Sequence, residues 1–188
     1  MASSMGVYGG LGIIHRYNTI AEQVEIVNKS QGIVAAAIGV TGDYIERASA
    51  LVESGVEILC IDIAHGHHVM MEKALGTLKS SVGDAVHLMA GNVATLEATN
   101  DLARWGADSV RVGIGGGSIC STRLVSGHGV PTFQSVLECA RTEYDVKIIA
   151  DGGIKTTGDM VKALAAGADF VMVGSMIAGA KETPGEIF

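Results

Sequence analysis

The chain has 188 residues, 48% of them hydrophobic, which is the size of one domain with material for a substantial core. A formal charge of −7 with only 13 Lys plus Arg, and no basic run, leaves little to neutralise a phosphate backbone, so no nucleic acid partner is expected. MASSMGVYGGLGIIHRYN lacks the charged start and apolar block of a signal peptide, and the longest apolar run, GIVAAAIGV, falls well short of the ~20 residues of a membrane span. A soluble, cytoplasmic protein without membrane contact is expected.

The first residues read as a helix. Strand LGIIHR (11–16) follows, then helix TIAEQVEIVNKS, where Thr19 and Glu22 have capping-box spacing. Strand GIVAAAIGV (32–40), helix GDYIERASALVESG, and strands VEILCIDIAHG (56–66) and VHLMAGNVA (86–94) come next. Helix TLEATNDLARWG leads to strand ADSVRVGIGG (107–116), and helix PTFQSVLECARTEY to strand VKIIADGG (146–153). Helix TTGDMVKALAAG, with a second capping-box spacing at Thr156 and Asp159, precedes strand ADFVMVGSM (168–176). The stretches SGVEIL, WGADSV and AGADFV form a weak repeat, each closing a helix on Gly55, Gly106 or Gly167 and opening a strand two residues later.

Strands that are continuous apolar runs are buried on both faces, as parallel strands between helices are. The class is therefore α/β, either a (β/α) barrel or a doubly wound sheet. Glycines and polar residues gather at the ends of four strands, in IDIAHGH, AGNVAT, GIGGGS and ADGG. A barrel puts its active site at that edge, whereas a doubly wound sheet concentrates such residues at one switch point. A single (β/α)8 TIM barrel over 1–188 is predicted, incomplete because about seven β/α units are visible rather than eight.

The stretch VRVGIGGGSICSTRLVSGHGVP (110–131) carries six glycines around Cys120. A dinucleotide fingerprint starting at Gly113 fails, because Ser118 stands where its last glycine belongs and the next residues do not read as a helix start. ADGG (150–153) and VGSM (173–176) are better phosphate cradles, or else glycines that turn the chain. In a glycine loop past a strand end, the Cys120 thiol can be exposed and its thiolate favoured, a candidate nucleophile; Cys60 in a strand and Cys139 in a helix read as core. Three scattered cysteines without a CxxC pair argue against disulfides or structural zinc. Asp62, His65, His67 and His68 form a possible metal cluster without a recognised spacing; Asp62 reads better as an acceptor for ribose hydroxyls.

GGLGIIHRYNTIAEQ, IDIAHGH, AGNVAT, VGIGGGSICSTRLVSGHGVP, IIADGGI and VGSMIAG…ETPGE resemble, in order, the motifs of the IMP dehydrogenase and GMP reductase family. The resemblance implies a barrel in which Cys120 attacks C2 of the purine, with Thr122 as a catalytic threonine. It implies that Ser118, Gly153, Gly174 and Ser175 hold the nucleotide phosphate, that Asp151 takes the ribose, and that Asn92 and Asp62 meet substrate and nicotinamide, with Ala64, Gly113 and Gly115 on the cofactor side. The carbonyls of Gly115, Gly117 and Cys120 match a monovalent-cation site, which the resemblance implies takes K+. NAD as cofactor, or NADPH for a reductase, IMP or GMP as substrate, and a homotetramer are likewise implied.

GDYIERASALVESGVEILCIDIAHGH and STRLVSGHGVP are more similar to bacterial or archaeal dehydrogenases, VLECA and GADFVM to the reductases. Many dehydrogenases carry paired CBS modules after the second strand, where NKSQGIVAAA passes straight on here, which leans toward the reductase. The balance favours the dehydrogenase, with the reductase, or a barrel that binds nucleotide without turnover, as alternatives. A metal-dependent hydrolase ranks last. The family's first strand and its mobile flap have no counterpart, so a fragment with impaired hydrolysis is expected.

Overall fold

The structure is a computed structural model and describes residues 1–185; Glu186, the last residue of ETPGE, lies outside the described residues. The elements are α1 (Ala2–Val7), β1 (Gly12–Ile14), α2 (Ile20–Lys29), β2 (Val34–Ile38), α3 (Tyr44–Glu53), β3 (Ile58–Asp62), α4 (Val69–Val82), β4 (His87–Val93), α5 (Leu96–Arg104), β5 (Ser109–Val112), α6 (Thr122–Ser126), α7 (Thr132–Cys139), β6 (Lys147–Asp151), α8 (Thr157–Ala165) and β7 (Phe170–Met172). All seven strands are parallel and lie in chain order, β1 to β7, forming an incomplete barrel.

Alternation along the strands builds two cores. Outward residues such as Val34, Ala36 and Ile38 of β2, Leu59 and Ile61 of β3, and Leu88 and Ala90 of β4 pack with Leu51, Leu75 and Leu102 from the helices. Inward residues Ala37, Cys60, Met89 and Ile149 form a smaller cluster inside the barrel. Burial on both faces is why these strands read as unbroken apolar runs.

The repeat has a structural counterpart. Gly55, Gly106 and Gly167 have φ of +91°, +104° and +107°, which ends each helix in a left-handed turn. Two residues later, Asp108 and Asp169 accept the backbone N–H of Leu88 (2.7 Å) and Ile148 (2.8 Å) on the preceding strand, so an acidic side chain extends each parallel ladder by one bond. Both predicted capping boxes form, Thr19 with Glu22 and Thr156 with Asp159.

Three local expectations are corrected. The predicted helix 131–144 ends at Cys139, since the Thr142 hydroxyl turns to Asn100 Oδ1 of α5 at 2.7 Å instead of continuing the helix. A short helix, α6, follows Cys120 where no helix start was read; it closes on Gly127 in the left-handed region. The first and last strands pair over only three residues each, because each has one partner among the described residues. No helix among the described residues is long and apolar enough to cross a membrane.

Leu75 of α4 is fully buried among the outward strand residues. Leu75→Ala is expected to cost about 2–5 kcal/mol, measured as a lower urea midpoint with unchanged slope.

Candidate active site

The C-terminal ends of β3, β4, β5 and β6 bring Asp62, Asn92, Arg111 and Asp151 together. Arg111 faces into the barrel and is only 7% exposed. Its Nη2 donates to Asp62 Oδ1 at 2.5 Å, and its Nη1 lies 3.8 Å from Asp151 Oδ2. Burial disfavours the guanidinium charge, but Cys60, Asp62 and Asp151 outweigh that and raise its pKa. Asn92 Nδ2 donates to Asp151 Oδ2 at 2.7 Å and to the Gly113 carbonyl at 2.9 Å. Two strand-end carboxylates are thus held in one network by an arginine and an amide.

The glycines of 110–131 are there for close approach. A Cβ on Gly113, whose φ is +148°, would sit 1.8 Å from the Asp151 carbonyl oxygen. A Cβ on Gly116 would meet the carbonyl carbon of Gly152 at 3.1 Å, and one on Gly152 the nitrogen of Gly117 at 3.0 Å. The loop after β5 therefore lies backbone to backbone on the ADGG turn after β6, which no larger side chain allows. Val130 N donates to the Ile114 carbonyl at 3.1 Å and closes the loop into a lobe.

Cys120 sits in this lobe. Its N–H donates to the Gly117 carbonyl at 3.1 Å, and its Sγ lies 3.3 Å from Thr122 Oγ1. Hydrogen bonding from the Thr122 hydroxyl, then from the Thr122 and Gly115 amides, with Arg123 nearby, draws the thiol pKa below its usual value. Burial instead pushes Cys60 up to about 11 and raises Cys139. The one thiol of depressed pKa is the one in the glycine lobe.

An open cavity of about 300 Å³ lies between these parts. Asp62, Ala64, Asn92, Gly113, Gly115, Cys120 and Thr122 line it, so seven residues singled out from sequence converge there. Ser118 and Ser175 meet outside this cavity, Oγ to Oγ at 3.1 Å, joining the lobe to the turn at Gly174 after β7. Gly153 lies in the ADGG turn with φ of +78°.

The histidine cluster does not form. His67 Nε2 pairs with Asp101 Oδ2 of α5 at 2.7 Å, His68 Nδ1 accepts Met70 N–H at the start of α4, and Asp62 faces arginines. Among the described residues no group of three or more His, Cys, Asp or Glu is arranged to hold a metal. Sequence reasoning missed Arg111, Arg16 and Tyr17, of which the last two line the cavity. A lone arginine inside the apolar strand SVRV was the available signal, since a charge there needs a buried partner.

A family model described as "IMP dehydrogenase / GMP reductase domain" matches residues 1–188. The chain belongs to this family. Among its relatives, the GMP reductase of Leishmania major is 52% identical over 82% of this chain and 32% of its own length. The inosine-5'-monophosphate dehydrogenase of Halalkalibacterium halodurans is 47% identical over 99% of this chain and 39% of its own. The crystal structure of the Legionella pneumophila inosine 5' monophosphate dehydrogenase superposes with a TM-score of 0.94 at 47% identity, covering 100% of this chain and 57% of that one. The chain thus spans about a third of the length of these curated relatives and over half of the solved chain.

Alkylation by iodoacetamide near neutral pH is expected to label Cys120 before Cys60 and Cys139, read by peptide mass. Thr122→Val removes the donor that favours the thiolate, so the pH midpoint of Cys120 labelling should move upward.

Proposed function

We propose that this barrel oxidises IMP to XMP with NAD+ in guanine nucleotide synthesis. The observation that carries the reading is a thiol of lowered pKa on the wall of the cavity that Asp62 and Asn92 also line. The Cys120 thiolate adds to C2 of the purine, the C2 hydrogen leaves with its electron pair as hydride, and a thioimidate to Cys120 results. Water then attacks C2 and displaces the thiolate, its proton passing to solvent, and XMP is released. The nicotinamide nucleotide, when bound, supplies the hydride acceptor.

The residues present fit both ligands. Thr122 steadies the thiolate before attack and takes over as its partner after hydrolysis. Asp151 spends one oxygen on Asn92, leaving the other for a ribose hydroxyl. Ser118 and Ser175 offer two adjacent hydroxyls, and Gly153 and Gly174 bare backbone, as a phosphate seat that needs no lysine. On the cofactor side, Asp62 keeps a third of its side chain exposed beside Ala64, Gly113 and Gly115. The carbonyls of Gly115, Gly117 and Cys120 would hold a monovalent cation, K+; that of Gly117 already accepts the Cys120 N–H, which leaves it a second lone pair. A cytoplasmic homotetramer completes the proposal.

The second reading is GMP reductase. In it the same thiolate adds to C2 of GMP, ammonia departs to leave the thioimidate, and hydride from NADPH adds to C2 as the thiolate is expelled, giving IMP. The Leishmania major relative, at 52% identity, favours it. The dehydrogenase is placed first because the solved structure and the relative aligned over 99% of the chain carry that name.

Parallel assays of IMP with NAD+ and GMP with NADPH, followed at the nicotinamide absorbance band, separate the readings. Turnover with the first pair, abolished in Cys120→Ala, is expected. Turnover with only the second pair would replace the dehydrogenase by the reductase. Nucleotide-dependent thermal stabilisation without turnover or a Cys120 adduct would leave a binding barrel and overturn both.

A further inference from the structure

We infer that His67 is a positioning residue: through Asp101 it holds the loop after β3 against the Asn92 backbone, and so sets the Asn92 amide between Gly113 and Asp151. Its functional consequence rests on the oxidoreductase reading, while the geometry stands on its own.

Beyond the end of β3 the chain keeps following β4. Ile63 N donates to the Gly91 carbonyl at 3.2 Å, Asn92 N to the Ile63 carbonyl at 3.2 Å, and Gly66 N to the Asn92 carbonyl at 2.7 Å. Packing there leaves no slack. A Cβ on Gly66 would meet the Asn92 carbonyl oxygen at 2.8 Å, and one on Gly91 the Cβ of Arg111 at 2.7 Å. Loop, β4 and Arg111 are therefore stacked, and the loop's position is transmitted to Asn92.

One side chain anchors that loop to a neighbouring helix. His67 Nε2 meets Asp101 Oδ2 at 2.7 Å, with the two side chains 30% and 16% exposed. Its ring lies against Trp105 at 5.8 Å, tilted by 32°, and His65 approaches it edge-on at 6.4 Å. Arg104 sits against the other Asp101 oxygen. No other side chain of residues 63–68 bonds beyond residue 70 among the described residues. The histidine bond is thus the loop's side-chain tie to α5, one residue from the amide that grips Asn92.

The test compares the native chain with His67→Ala, His67→Gln and Asp101→Asn. The side-chain amide resonances of Asn92 are followed in a ¹⁵N correlation spectrum, which four asparagines keep simple. In His67→Ala the Asn92 pair should move toward the position of exposed Asn28 and exchange roughly tenfold faster. His67→Gln, which keeps a donor where Nε2 was, should restore it, with thermal midpoints similar throughout. In the chain that binds IMP or GMP, affinity should fall roughly tenfold in His67→Ala and recover in His67→Gln.

An Asn92 pair unchanged in His67→Ala overturns the inference, as does unchanged affinity for a nucleotide that the native chain binds. Equal loss of thermal stability in the Ala and Gln variants also overturns it, since the tie would then be merely structural. If His67→Ala does not fold, Asp101→Asn decides by the same resonances. If the native chain binds neither nucleotide, the oxidoreductase reading fails while the Asn92 pair still decides this one.

Discussion

Arg111 is the interaction on which the site depends. A guanidinium inside the barrel has lost its water, and only neighbouring anions and acceptors make that tolerable. Asp62 on β3 and Asp151 on β6 supply them from either side of β5, and Asn92 on β4 bridges to Asp151. Four successive strands are therefore coupled at their C-terminal ends by charge as well as by their ladders. Loss of Asp62 would leave the buried guanidinium with only its longer contact to Asp151, so the pairing holds Arg111 and the two carboxylates together.

Over this rigid floor lies a lobe built from small residues. Gly113, Gly116 and Gly152 let two turns touch through their backbones, which puts Cys120 above the floor without a bulky neighbour. A thiol there keeps access to solvent, and its anion is favoured by a hydroxyl and amides instead of by a lysine. That economy suits a chain of net charge −7. The carboxylates below are tied to Arg111, while the thiol above is tied to Thr122 and has its pKa lowered.

Much of this was legible in sequence because it is local. Capping boxes, the glycines closing helices at 55, 106 and 167, and the alternation of apolar strands with amphipathic helices depend on residues a few positions apart. The glycine density around Cys120 likewise announced a crowded backbone. What failed was anything set by a partner far along the chain. Thr142 turns to Asn100, 42 residues away, and His67 and Asp62 take Asp101 and Arg111, 34 and 49 residues away. Arg111 passed unnoticed for the same reason, its partners lying 49 and 40 residues away.

By itself, then, the sequence determined the parallel α/β architecture and the strand edge where the glycine loop and Cys120 gather, since periodicity, caps and glycine spacing act within a turn or a strand. Only the tertiary structure decided which charges meet. The inward register of β5 puts Arg111 between two carboxylates, and the packing of α5 gives His67 its aspartate. Electrostatic pairs form between whatever groups the curled sheet brings within reach, and no local pattern encodes that distance.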